Sequence, residues 1–228
     1  GSSSNVHNAF RFHTGEDEDT IVEGITMRGG FSFFGGAVFI NSASPTFRRC
    51  VFLENGANDG GAIYAFYSCT PRFEQCTFSH NYASGATMGG HIFLNTEANA
   101  VLENCLLTYA PAGMAVHVLS SSPVLTCCDI FGNTDGDWGG EIAGQYGING
   151  NISLDPLYCD VGAYNRKIDE TSPCAPENNP ECGLIGALDV GCYSSGIAET
   201  WNADRLRLAT TVPSSAAAGT TIRYAIPG

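Results

Sequence analysis

The chain has 228 residues, of which 23 are acidic and 10 basic, for a net charge of −13. That balance excludes the basic face a phosphate backbone requires, so nucleic acid is not an expected partner, and a neutral polysaccharide or a cation suits the surface better than an anionic glycan. No run of about 18 apolar residues occurs, so no membrane-spanning helix is predicted. The ten cysteines form no zinc-type C-x-x-C pairs and no haem-attachment motif, which favours an oxidising, extracytoplasmic setting.

Residues 1–9 are small and polar and read as an arm. Residues 10–30 read as an opening coil with an acidic corner at Glu16, Asp17, Glu18 and Asp19. Nothing amphipathic precedes this coil to close it, so a partner, a preceding domain or a longer chain is expected to cover its unpaired edge.

From residue 36 to 133 nearly the same phrase recurs four times: PTFRRCVFLEN, PRFEQCTFSHN, AVLENCLLTYA and PVLTCCDIFGN. Cys50, Cys76, Cys105 and Cys128 hold the same place, at spacings of 26, 29 and 23 residues. Three residues upstream stand Phe47, Phe73, Leu102 and Leu125; two downstream stand Phe52, Phe78, Leu107 and Ile130. Five downstream come Asn55, Asn81 and Asn133, with Ala110 the exception. A glycine-led apolar run (GGAVFI, GGAIYA, GGHIFL, GMAVHV) precedes each phrase. Units this short cannot bury a core alone and must stack. No window keeps a helical period, whereas β-branched and aromatic runs are bounded by Gly, Pro, Asn and Ser. Three short strands and their corners use about 22–28 residues, one coil of a parallel β-solenoid, with like residues piled about 4.8 Å apart. The uneven spacing is expected as an insertion around residues 82–88. The stacked thiols read as buried small hydrophobes, the Asn column as a corner ladder, and Cys127 as pointing to the other face, free to reach a cap.

The stretch GGAIYAFYSCTPRFEQCTFSHN resembles the repeat of right-handed parallel β-helix proteins, the pectate-lyase-like superfamily, near its polymorphic outer-membrane-protein repeats. The resemblance covers about residues 10–192. It implies an all-β fold: a right-handed parallel β-helix over 10–158, a Cys-rich cap over 159–193, and a linker with a terminal strand over 194–228. In that family the last coil ends much as Asn151 to Tyr158 does here, followed by a Ser-Pro-Cys like Ser172-Pro173-Cys174. The segment 182–192 is thereby implied to cover the C-terminal end. Cys159 with Cys174 and Cys182 with Cys192 are the pairings to try first, although sequence alone leaves connectivity open. The final alternating strand (Thr221, Ile222, Arg223, Tyr224, Ala225, Ile226) resembles the start of an immunoglobulin-like sorting domain. A solitary strand must pair with a sheet edge, in its own solenoid or in a neighbouring subunit.

A lyase of the resembled superfamily would need a calcium-binding carboxylate cluster and an Arg or Lys base on one outer sheet face. Arg48, Glu74, Glu103 and Thr126 share one outward column with Arg72 beside it, and the plainer reading is a cross-strand ion-pair ladder. Asn133, Asp135 and Asp137 alternate as calcium ligands do, but a turn rich in Asp and Gly explains them as well. The five histidines share no zinc spacing, and structural roles suit them. A second column, Phe39, Tyr64, Phe93 and Val116, points outward if Val38, Ile63, Ile92 and Ala115 point inward. It could then meet sugar rings or another protein; in the opposite phase it is core. The expectation is therefore a non-catalytic extracellular solenoid with a structural, adhesive or self-assembling role. No cofactor is expected beyond a weak calcium candidate. The alternative is a polysaccharide lyase or glycoside hydrolase.

Overall fold

The computed structural model describes residues 7–84 and 88–193. The chain winds so that each circuit adds one parallel strand to each of several sheets. Sheet I holds Phe10–Phe12, Val38–Asn41, Ile63–Phe66, Gly89–Asn95 and Met114–Leu119. Sheet II holds Ile21–Glu23, Thr46–Arg48, Arg72–Glu74, Val101–Glu103 and Val124–Thr126. Sheet III holds Thr26–Arg28, Val51–Leu53, Thr77–Ser79, Leu106–Thr108 and Asp129–Phe131. A shorter sheet IV holds Phe31–Phe34, Gly56–Asp59 and Tyr82–Ala83. The fold is an all-β parallel solenoid. The insertion that lengthens the second spacing and the terminal strand from Thr221 to Ile226 fall partly or wholly outside the described residues.

Register turns the sequence columns into files. Val22, Phe47, Phe73, Leu102 and Leu125 are partners across sheet II, and Met27, Phe52, Phe78, Leu107 and Ile130 across sheet III. Phe47 stacks on Phe73 at 5.3 Å between ring centroids and Phe52 on Phe78 at 4.5 Å, both nearly parallel. Each buried aromatic contributes about 2–3 kcal/mol by area alone. Between the two sheets the chain bends at one left-handed residue per coil: Arg49, Gln75, Asn104 and Cys127 all have φ near 50°. Each is followed by a member of the thiol file. Cys50, Cys76, Cys105 and Cys128 are buried and free. Each Sγ donates to a carbonyl of the preceding coil (Val22, Phe47, Phe73 and Leu102) at 3.2–3.5 Å. Burial pushes the Cys105 thiol up, which keeps that group protonated and unreactive.

The asparagine file follows the next corner. Asn55 Nδ2 donates to Met27 O and to Asn81 Oδ1, and Asn81 Nδ2 to Phe52 O, all at 2.9 Å. Asn133 Nδ2 donates to Leu107 O. At the rung where the sequence has Ala110, His91 enters from the neighbouring strand. Its Nδ1 accepts from Asn81 Nδ2 at 3.1 Å and its Nε2–H donates to Asn133 Oδ1 at 2.9 Å. This requires a neutral ring, and burial depresses the His91 pKa to about 3. The file is continuous because an imidazole spans a gap that one missing amide leaves.

The two ends differ. At the first coil, Val22 is only half-buried and Ile21 and Phe31 are exposed. At the other end, the 3-10 turn Gly140–Gln145 drops Ile142 into the core, with Trp138 packed against it. Gln145 accepts from the Leu125 N–H and donates to Pro123 O. Asn151 accepts from the Cys128 N–H and donates to Leu125 O. These two side chains satisfy backbone groups that an open edge would leave bare.

The Cys-rich segment, expected across that end, instead plates the outer face of sheet III. Strands Tyr158–Asp160, Asn165–Asp169 and Val190–Cys192 form a small sheet of their own. Ile168, Cys174, Ala175 and Ile185 pack on Leu106, and Ala187 on Val51 and Leu53. Tyr158 Oη lies 2.8 Å from Thr108 Oγ1, Ala187 N–H donates to Thr77 Oγ1, and Arg166 Nε donates to Ser79 Oγ at 2.8 Å. The physical reason is the outward row Val51, Leu53, Leu106, which water cannot be left to cover. The disulfides follow this placement. Cys127 bonds Cys182 and Cys159 bonds Cys192, so the expected pairs Cys159–Cys174 and Cys182–Cys192 are corrected. Cys174 is a buried free thiol that donates to Asp129 Oδ2 at 3.1 Å.

Asp129 lies wholly beneath the plate, and burial raises its pKa to about 6. Folding penalises the charged form, so the stabilisation from the neutral acid is full below about pH 3.8 and is lost as pH rises through 6. Asp129→Asn is therefore expected to stabilise the protein by about 1–2 kcal/mol at pH 7 and to lose that advantage below pH 4. The net figure allows for one acceptor lost, since Asp129 also accepts from Leu154 N–H. Urea titrations at pH 7.5 and pH 4 check it.

Candidate functional site

Each sequence-predicted group has a definite place. On the outer face of sheet II, Arg48, Glu74, Glu103 and Thr126 are register partners. Arg48 Nε lies 2.8 Å from Glu74 Oε2, Arg72 Nε 3.5 Å from Glu74 Oε1, and Arg72 Nη2 3.2 Å from Glu103 Oε1. The hydrogen bond that Arg48 donates to Glu74, with the Glu74 charge, raises the Arg48 pKa. An arginine held this way is a brace and not a poised base.

Asn133, Asp135 and Asp137 do not converge on a common point. Asn133 Oδ1 accepts from Ala110 N–H and His91, Asp137 Oδ1 accepts from the Asn133 N–H and amide, and Asp135 Oδ2 accepts from Gly113 N–H. Among the described residues no group of three His, Cys, Asp or Glu side chains is placed to hold a metal ion.

The aromatic column on sheet I points outward, with one correction. Phe39, Tyr64 and Phe93 are register partners, but the next rung is His117, and Val116 points into the core. Met114 pairs with Gly89 of the preceding coil and Val116 with Ile92, so the register shifts by one between those two pairs. Phe39–Tyr64 centroids are 5.8 Å apart, Tyr64–Phe93 5.2 Å and Phe93–His117 4.9 Å. The Arg11 guanidinium closes the Phe39 end at 4.7 Å. Phe34 covers Tyr64 at 4.7 Å, and Asn95 Nδ2 donates to Tyr64 Oη at 3.3 Å. Tyr64 is only 6% exposed and Phe93 4%. The ring faces are used up on one another, so the column presents edges to any ligand. Beside it, burial raises the Asp59 pKa and lowers that of His117, while the Glu141 charge pulls His117 back up.

Sequence reading missed the outer face of sheet IV. Ser32, Ala57 and Ala83 point inward and are buried, which turns Phe31, Phe33, Gly56, Asn58, Tyr82 and Ser84 outward. Phe33 is 59% exposed, Phe31 43% and Tyr82 37%. Gly56 carries no side chain because the Tyr82 ring lies flat on it: a Cβ there would sit 2.3 Å from Tyr82 Cζ. Ser84 Oγ donates to Asn58 Oδ1 at 3.1 Å. The signal was available, since Phe31 and Phe33 alternate as one face of a strand should.

Among the described residues no helix is long and apolar enough to cross a membrane, and the two disulfides mark an oxidising environment. The family model for the right-handed β-helix region matches residues 35–153, just over half of the chain. No curated protein and no solved structure matches the chain. Coil repeat, parallel register and matched segment coincide, and the chain belongs to the right-handed β-helix family.

Proposed function

We propose that this chain is a secreted or surface-attached, non-catalytic solenoid with a structural and adhesive role, a specialised member of the pectate-lyase-like superfamily. The observation that carries this reading is the ion-pair ladder of sheet II. The arginines that would supply a lyase base, Arg48 and Arg72, are spent on Glu74 and Glu103 along the axis. The continuous thiol, asparagine and aromatic files support a stiff rod, because each coil is tied to the next by several kinds of contact at once.

Self-association belongs to the same proposal and uses the first coil, where Ile21 is exposed and Val22 only half-buried, whereas backbone groups at the opposite edge are satisfied by Gln145 and Asn151. An activity assay tests the non-catalytic part. Incubated with polygalacturonate, xylan and glucomannan, with and without calcium, the protein is expected to release neither unsaturated ends nor reducing sugar. Turnover that disappears in Arg72→Ala would overturn it.

A further inference from the structure

We propose that the outer face of sheet IV is a carbohydrate platform for a neutral polysaccharide, an inference that rests on the adhesive reading above and gives it a place. Three exposed rings, Phe31, Phe33 and Tyr82, share one three-stranded sheet. Unlike the rings of sheet I, Tyr82 lies against backbone at Gly56 and remains exposed. Aromatic faces attract the C–H faces of sugar rings, and ligand sites of this kind add a few polar groups that fix orientation.

Here those groups are Asn58 and Ser84. The bond between them engages the Asn58 carbonyl oxygen, which leaves the amide hydrogens to point at a hydroxyl. In the strands of this sheet the one charged residue is Asp59, which pairs with Phe34 on the side toward Tyr64 of sheet I, away from Phe31 and Tyr82. On a protein of net charge −13, an uncharged aromatic face selects against anionic chains and for uncharged ones.

The test is affinity electrophoresis in gels containing glucomannan, hydroxyethylcellulose or xyloglucan, with polygalacturonate as the anionic comparison. Retardation is expected in at least one neutral gel and not in polygalacturonate. Phe33→Ala and Tyr82→Ala are each expected to weaken it by tenfold or more. Gly56→Ala serves as a second kind of variant. The residue it displaces is the free end of an exposed ring, so the fold survives, confirmed by circular dichroism, while the tilted Tyr82 ring weakens binding several-fold. Retardation unchanged in all three variants overturns this site and leaves the adhesive reading standing. Preference for polygalacturonate overturns the ligand class. Absence of retardation in every gel overturns the platform, and the non-catalytic reading is then judged separately by the turnover assay.

Discussion

Replacing His91 by alanine lowers the folding free energy by about 3 kcal/mol at pH 7.5, measured by urea denaturation. The substitution empties a fully buried site and leaves Asn81 Nδ2 and Asn133 Oδ1 each short of one partner; buried polar groups left this way cost about 1–3 kcal/mol, and the cavity adds to it. Generic core damage would do the same, so the informative variant is the double one. Placing asparagine at Ala110 in the His91→Ala background restores the amide that the other rungs carry. It is expected to recover more than half of the loss, whereas Ala110→Asn alone collides with the imidazole and destabilises. Acid gives an independent readout. The folded pKa of His91, about 3, lies below the unfolded value of about 6.5. Its stabilisation is therefore complete above about pH 6.5 and falls by about 1.4 kcal/mol per pH unit as pH drops towards 3. The gap between wild type and His91→Ala should narrow over that window. A gap independent of pH, with no rescue by Ala110→Asn, would remove His91 from the file.

The second large effect is at the staple between solenoid and plate. The Cys127–Cys182 bond closes a separation of 55 residues, for which loop-closure entropy gives about 4 kcal/mol. Cys127→Ser with Cys182→Ser is expected to cost 2–4 kcal/mol and to uncover Val51, Leu53 and Leu106, read as increased binding of a hydrophobic dye. Native alkylation should modify none of the six free thiols, all of which are buried. The same reagent in denaturant should modify all six.

What could be read in the sequence was whatever repeats by type. Cys50, Cys76, Cys105 and Cys128 are legible because one residue recurs in one place, and the apolar files beside them fix the strand phase. The phase failed at the fourth rung, where His117, not Val116, stands four residues after the opening glycine, as Phe39, Tyr64 and Phe93 stand after theirs. His91 was opaque for a different reason: it completes the asparagine file from another strand, and nothing local marks it. The plate was misjudged because Val51 and Leu53 on one coil share their outward row with Thr77 and Ser79 on the next, which reads as a solvent face. Disulfide connectivity followed from that error, since pairing depends on where the plate lies. Of the candidate sites, the ion-pair ladder on sheet II was visible as charge opposite charge. The rings of sheet IV were overlooked because their strands are short and the strand between them opens on a glycine, Gly56, that looks like a turn.

Distances along one outward file test the stacking most directly. Ile21, Arg72, Val101 and Val124 occupy one row of sheet II, with Thr46 between the first two. Spin labels at Ile21 paired in turn with Arg72, Val101 and Val124 should read about 10, 14 and 19 Å, a constant rise of about 4.8 Å per coil whatever the number of residues between them. Distances that instead scale with sequence separation, or that scatter without a common increment, would contradict the solenoid and everything derived from it.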